Sequence, residues 1–281
     1  MSSAFRACAF AAVLVGAALL AGAAGGRVWA DDSDTLTPPV DKDLIDPKVA
    51  CAGLPSFDEV RQALIQANRE PGGLSLAGAS TPNNMWATVV NRDGVVCAVV
   101  TTGTDRGDQW PGGRLISAGR ANTANAFSLP KFAYSTANLY AAVQPGGAMF
   151  CIEVSNPVAT PAAYRGDPAT YGTSNDPMIG RRVGGINVTG GGVALYERSR
   201  LNRLVGAIGV SGDTACRDHR VAWVARAALR LDAVPAGVNT VAVPSNAAFP
   251  DNIIYDMGFG STTIPPTGIT RMQNSGSRPW L

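Results

Sequence analysis

His219 is the only histidine in the chain, so any chemistry that needs an imidazole passes through one residue. Neutral imidazole serves as a general base or as a metal donor. The competing role is a surface or capping histidine on the first turns of the last helix. Just upstream, Gly209-Val-Ser-Gly-Asp-Thr214 lies where a strand turns into that helix. Free backbone N–H groups at a helix N-terminus attract an anion such as a carboxylate. Ser211, Gly212, Asp213 and Thr214 are therefore candidate ligand contacts, although Asp213 or Thr214 would serve equally as an ordinary N-cap. The pattern is neither a P-loop nor a dinucleotide fingerprint. Nor is it the G-x-S-x-G of a nucleophile elbow. About two helical turns, roughly 10 Å or more, separate Ser211 from His219, which makes a Ser–His pair within one subunit improbable. Asp218 neighbours His219 in sequence but points about 100° away on a helix, a poor position for orienting the ring.

Arg120 sits on an earlier helix, where a guanidinium could pair with a carboxylate or simply be solvated. Trp110 and Arg114 flank Pro111-Gly112-Gly113 at the entrance to that helix. Trp110 could line an apolar ligand or cap the core. Asn187-Val188-Thr189 matches a glycosylation sequon, a weak signal by itself.

Several elements must position these residues. Ser56-Phe-Asp-Glu59 is a capping box, and Val60, Leu64 and Ala67 follow at helical spacing up to Glu70. Met85 to Asn91 and Val95 to Thr102 read as strands joined at Asp93-Gly94, a hairpin turn signal. Helices are expected around 113–127 and 134–143, and a short strand over Ala148 to Val154. Residues 155–182 have no clear period; a connection this long in a compact domain is often functional when ordered. Gly191 to Tyr196 and Leu204 to Val210 are further strands, and a last helix runs from about Asp213 to Leu231. The order α-β-β-α-α-β-β-β-α predicts an α+β fold: a five-stranded, mainly antiparallel sheet with helices on both faces. Beyond Asp232 the chain is rich in Pro and Gly, and an extended tail over 232–281 is expected to pack on the domain.

The N-terminus places Arg6 ahead of an apolar run from Ala7 to about Leu20, then small residues and Val28-Trp29-Ala30 before Asp31 and Asp32. This is the pattern of a secretory signal peptide over residues 1–30, cut after Ala30 or alternatively after Ala23. Export to a periplasm or to the medium follows. Residues 31–50 read as a polar linker and 51–231 as the domain. Removing Arg6 and Arg27 takes the formal charge of +2 to about zero, which supplies no basic field for nucleic acid or an anionic membrane. No later segment is apolar enough over ~20 residues to span a bilayer. Of five cysteines, Cys8 leaves with the signal. Cys51, Cys97, Cys151 and Cys216 remain as candidates for one or two disulfides, in any of three pairings. Zinc is a poor alternative without a C-x-x-C pair.

Three segments carry a resemblance to a known family. One is the hairpin from Trp86 through Gly94. A second is the helix with Ile116-Ser-Ala-Gly-Arg120-Ala-Asn-Thr-Ala124. The third, and most specific, is Gly184-Gly185 followed by Leu204-Val-Gly-Ala-Ile-Gly-Val-Ser-Gly212-Asp-Thr214, leading to Asp218. Together they make the chain resemble the haem-binding GlcG/HbpS family, to which the C-terminal domain of PduO-type cobalamin adenosyltransferases is similar. The likeness spans about residues 56 to 231; the export signal, the 155–182 insertion and the tail depart from compact members.

The resemblance implies a homo-oligomer that binds a small molecule, haem or a related tetrapyrrole, and acts in uptake, buffering or sensing. His219 is then the candidate axial ligand, and Met149, Met178, Tyr164 and Tyr171 are further donors. Arg120, in a Lys/Arg position of the family pattern, could pair with a propionate, and the Ser211–Thr214 turn could hold one. There is no C-x-x-C-H, so covalent c-type attachment is excluded. Two alternatives remain. One is an enzyme acting on a small carboxylated substrate, with Arg120 and the turn as anion clamps and Asp218 or His219 as acid or base. The other is an interaction module of an exported redox assembly.

Overall fold

The computed structural model describes residues 44–70, 82–199, 202–235 and 251. The expected signal peptide over residues 1–30 lies outside them, as does the expected tail apart from its start and Asp251. Residues 44–50, within the expected linker, carry one helical turn, α1 (Pro47–Ala50), capped by the Asp46 side chain. Ile45 N–H donates to the Gly180 carbonyl at 2.8 Å.

Helix α2 (Phe57–Arg69) starts on the expected capping box: Ser56 Oγ accepts from Glu59 N–H, and the Glu59 carboxylate accepts from Ser56 N–H. Its apolar stripe of Val60, Ala63, Leu64 and Ala67 is buried. Strands β1 (Trp86–Asn91) and β2 (Val96–Thr101) form the predicted hairpin. Gly94 takes the left-handed conformation the turn requires, φ 76°. The Asn91 side chain closes the turn by accepting from Asp93 and Val95 N–H.

Helix α3 (Gly112–Phe127), strands β3 (Gly192–Glu197) and β4 (Arg203–Ser211), and the last long helix (Ala215–Ala228) all lie close to the predicted spans. The strands make one antiparallel sheet in the order β2-β1-β4-β3. Strand alternation sorts its side chains onto two faces. Ala87, Val89, Ile208 and Val210 meet Leu64 of α2 and Val221, Ala222 and Ala225 of the last helix. Trp86, Val90 and Ala207 face Ala118, Ala121 and Ala124 of α3. That helix lies directly on β4: a Cβ added at Gly209 would stand 2.0 Å from the Ser117 carbonyl oxygen.

Two expectations are corrected. The helix expected over 134–143 is a single turn, α4 (Thr136–Leu139), closed by Ser135 and Asn138, then a 3-10 turn over Ala141–Val143. The strand expected over 148–154 does not form, so the sheet has four strands and not five. Cys151 there adopts a left-handed backbone, φ 72°, and a helical turn follows, α5 (Ile152–Ser155). Each sheet edge is met at one position by a neighbouring segment: Gly180 and Arg181 bond Val96 of β2, and Leu231 and Ala233 bond Tyr196 of β3.

The insertion over 155–182 is ordered. It holds α6 (Thr160–Ala163) and a 3-10 turn at Pro168–Thr170, and it buries Ala163 and Met178 against the α3 side of the sheet. The Ala215–Ala228 helix is therefore α7. Cys51 and Cys97 form a disulfide with Cα atoms 5.6 Å apart, joining the end of α1 to β2. Cys151 and Cys216 are not joined to each other. Among the described residues no helix is long and apolar enough to cross a membrane.

Candidate functional site

A cleft of about 260 Å³ opens where the insertion meets the start of α3. Trp86, Pro111, Pro168, Tyr164 and Tyr171 give it apolar and aromatic walls, and Asp105, Arg106 and Arg114 bring charge. Trp86 enters from the first position of β1, and its Nε1–H is buried without a hydrogen-bond partner among the described residues.

Arg114, on the first turn of α3, fastens the insertion to the sheet. Its Nε donates to Asp176 Oδ2 at 2.8 Å, its Nη2 to Asp176 Oδ1, and its Nη1 to the Ala163 carbonyl at 2.6 Å. The guanidinium also lies 3.7 Å from the centroid of the Tyr171 ring, a cation–π contact. Asp176 accepts in addition from Gly172 and Met178 N–H, so a single buried carboxylate organises the turn that presents Tyr171. Gly172 is required there: at φ +77°, its added Cβ would stand 2.8 Å from the Trp86 ring.

Of the residues proposed from sequence, Arg114 lines this cleft. Trp110 does not; it is more than half exposed one residue before Pro111, which does. Tyr164 and Tyr171, proposed as donors, come together here. Trp86, Arg106 and Pro168 carried no separate signal in the sequence, because nothing local marks a strand residue, a loop arginine and an insertion proline as neighbours.

Arg120 and the Ser211–Thr214 turn meet elsewhere, joined through the Asp218 carboxylate. Arg120 is buried, with Nη1 donating at 2.6 Å to both the Val210 carbonyl and Asp218 Oδ2, and with Nε and Nη2 on Thr189 Oγ1. Asp218 Oδ1 accepts from Asp213 N–H, Asp213 Oδ1 from Thr214 N–H, and Thr214 Oγ1 from Arg217 N–H. Thr214 thus caps Arg217 N–H in the first turn of α7, and Asp218 and Asp213 take up the N–H groups of the turn before it. Burial pushes the Asp218 carboxyl up to about 7 against the pull of Arg120. Asn187, of the sequon, accepts from Thr189 in the same network.

His219 is fully buried, and neither ring nitrogen has a hydrogen-bond partner among the described residues. Its ring lies 5.8 Å from that of Trp223. Burial first, then the nearby Arg226 and Arg120 charges, lowers its pKa to about 3, with Asp251 opposing. The imidazole is therefore neutral at physiological pH, but it does not line the cleft. Met178 is likewise sealed in the core.

A metallated tetrapyrrole needs an apolar slot, a donor to the metal and a cation for its carboxylates. The cleft offers these only in part: Pro111 and Pro168 as walls over the buried Trp86, the Tyr164 phenol beside an engaged Tyr171, and Arg106, which faces Asp105. Its volume is below the ~300–1,000 Å³ typical of pockets that enclose a small molecule. It suits one edge of a flat macrocycle.

The chain belongs to the family whose model is described as haem degrading protein HbpS-like, which matches residues 75–228. Two solved structures are similar to it. A crystal structure of a PduOC:haem complex is 18% identical, with a TM-score of 0.40 and coverage of 61% of this chain and 89% of that one. The Klebsiella pneumoniae protein ORFY, of family DUF336, is 19% identical, with a TM-score of 0.38 and coverage of 60% and 87% respectively. No curated protein matches the chain.

Proposed function

We propose that this protein binds haem or a related tetrapyrrole outside the cytoplasm, as a homo-oligomer, and that it acts in uptake, buffering or sensing. The observation that carries the reading is the cleft between α3 and the insertion, where aromatic walls, two phenols and arginine side chains converge. The name of its family points to the same ligand. The N-terminal signal pattern supports export, and the Cys51–Cys97 disulfide is consistent with an oxidising compartment.

Absorbance titration of the purified protein with hemin tests this. The expected result is a saturable Soret shift at micromolar hemin that is weakened in Trp86→Ala. An unshifted spectrum would refute it.

The word degrading in the family's description favours a second reading, in which bound haem is also consumed. The discriminating observation is the fate of the bound spectrum when a reductant and oxygen, or peroxide, are supplied. Loss of the Soret band with release of free iron, faster than in protein-free hemin, marks degradation; a stable spectrum marks binding alone.

A further inference from the structure

We propose that Arg226 is a buried carboxylate receptor built from α7 and β3, and that the chain fills it with its own Asp251, a displaceable plug that seals His219. Arg226 is 1% exposed and Asp251 0%. Arg226 Nη1 donates to Asp251 Oδ2 and, at 3.1 Å, to the Ala194 carbonyl of β3; Nη2 donates to Asp251 Oδ1 at 3.1 Å. The guanidinium carbon lies 4.7 Å from the centroid of the Trp223 ring. Arg226 Nε is buried with no hydrogen-bond partner among the described residues.

Receptor and plug come from different parts of the chain. Arg226, Trp223 and Ala194 all lie within residues 75–228, which the family model matches, and Asp251 lies beyond them. Asp251 is the one acidic partner of Arg226 among the described residues. The shared domain thus buries a cation whose counter-charge comes from outside it, and a buried charge without its partner is strongly unfavourable. A planar guanidinium fork takes any carboxylate in the same two-bond geometry, so the site selects the group and not the residue that carries it. His219, Trp223 and Arg226 stand at i, i+4 and i+7, on one face of α7, with the His219 ring 5.8 Å from that of Trp223. Besides burial, the Asp251 charge acts on the His219 ring, which places the carboxylate over the same face.

Asp251→Gly empties the receptor, and formate is then the probe. His219 is the only histidine in the chain, so its modification by diethyl pyrocarbonate, read by mass spectrometry, reports the seal directly. Wild type should resist the reagent and be indifferent to formate. Asp251→Gly should react roughly ten-fold faster or more. Formate should slow that reaction and raise the urea midpoint, and chloride at equal ionic strength should do neither. The double variant Arg226→Met/Asp251→Leu, with the pair replaced by apolar chains, should stay protected and indifferent to formate. If Asp251→Gly folds only with formate present, that dependence itself shows the receptor. The proposal is overturned if Asp251→Gly protects His219 as wild type does, if chloride matches formate, or if the variant folds at no formate concentration.

Discussion

His219 shows what burial does to a single titratable side chain. The groups facing it include Arg120 from α3, Arg226 from its own helix, and Asp251 from the C-terminal segment. Its pKa falls from 6.5 to about 3 on folding, so between these values the unfolded chain binds the proton and the folded one does not. Stability from this group is therefore complete above pH 6.5 and declines as pH falls toward 3. Asp218 runs the other way: its carboxyl rises from 3.8 to about 7 on folding, so its contribution declines as pH rises through that window. Substituting His219→Phe should flatten the fall in urea midpoint between pH 6.5 and pH 4; an unchanged slope would show that the imidazole is not the group responsible. The place of His219 on the last helix was readable from sequence, but its burial was not. Helix α7 buries Arg217, Asp218, His219, Arg220 and Arg226 as well as its apolar residues. The partners that make this tolerable, Asn68, Arg120 and Asp251, are remote in sequence. Periodicity reports only an element's own polarity.

Among the elements, the capping box, the hairpin turn and the long helices were legible because local rules write them. The 155–182 insertion had no period to read. Its order comes from one carboxylate, Asp176, bonded to Arg114 and to two backbone N–H groups, and such a hub leaves no pattern. Breaking a buried pair leaves an uncompensated charge, at a cost of about 3–5 kcal/mol. Asp176→Asn should lower unfolding free energy by that order and speed limited proteolysis within 155–182; unaltered cleavage there would mean that other contacts hold the insertion. The strand expected over 148–154 is broken at Cys151, whose left-handed backbone, φ 72°, no apolar run announces. The Cys51–Cys97 link closes a sequence separation of 46 residues, for which loop-closure entropy gives about 4 kcal/mol. Cys97→Ser should destabilise the oxidised protein by about 2–4 kcal/mol and remove the effect of added reductant, as measured by urea unfolding.

At the scale of the whole molecule, the α+β sheet with helices on both faces was legible, and so was the family. The cleft was legible only in part. Arg114, Tyr164 and Tyr171 were singled out as residues, but the sequence does not say that β1, the start of α3 and the insertion converge. The reverse holds for Arg120 and the glycine turn, which do converge, joined through the Asp218 carboxylate. The proposed export concerns the whole chain: N-terminal sequencing of protein recovered outside the cytoplasm should give Asp31 as the first residue, and a start at Met1 would contradict cleavage. The most direct measurement of the central claim is a crystal structure of the hemin-loaded protein with the iron located by anomalous scattering. The predicted result is hemin with one edge seated in the cleft lined by Trp86, Pro111 and Pro168. Hemin bound at any surface apart from this cleft would contradict it.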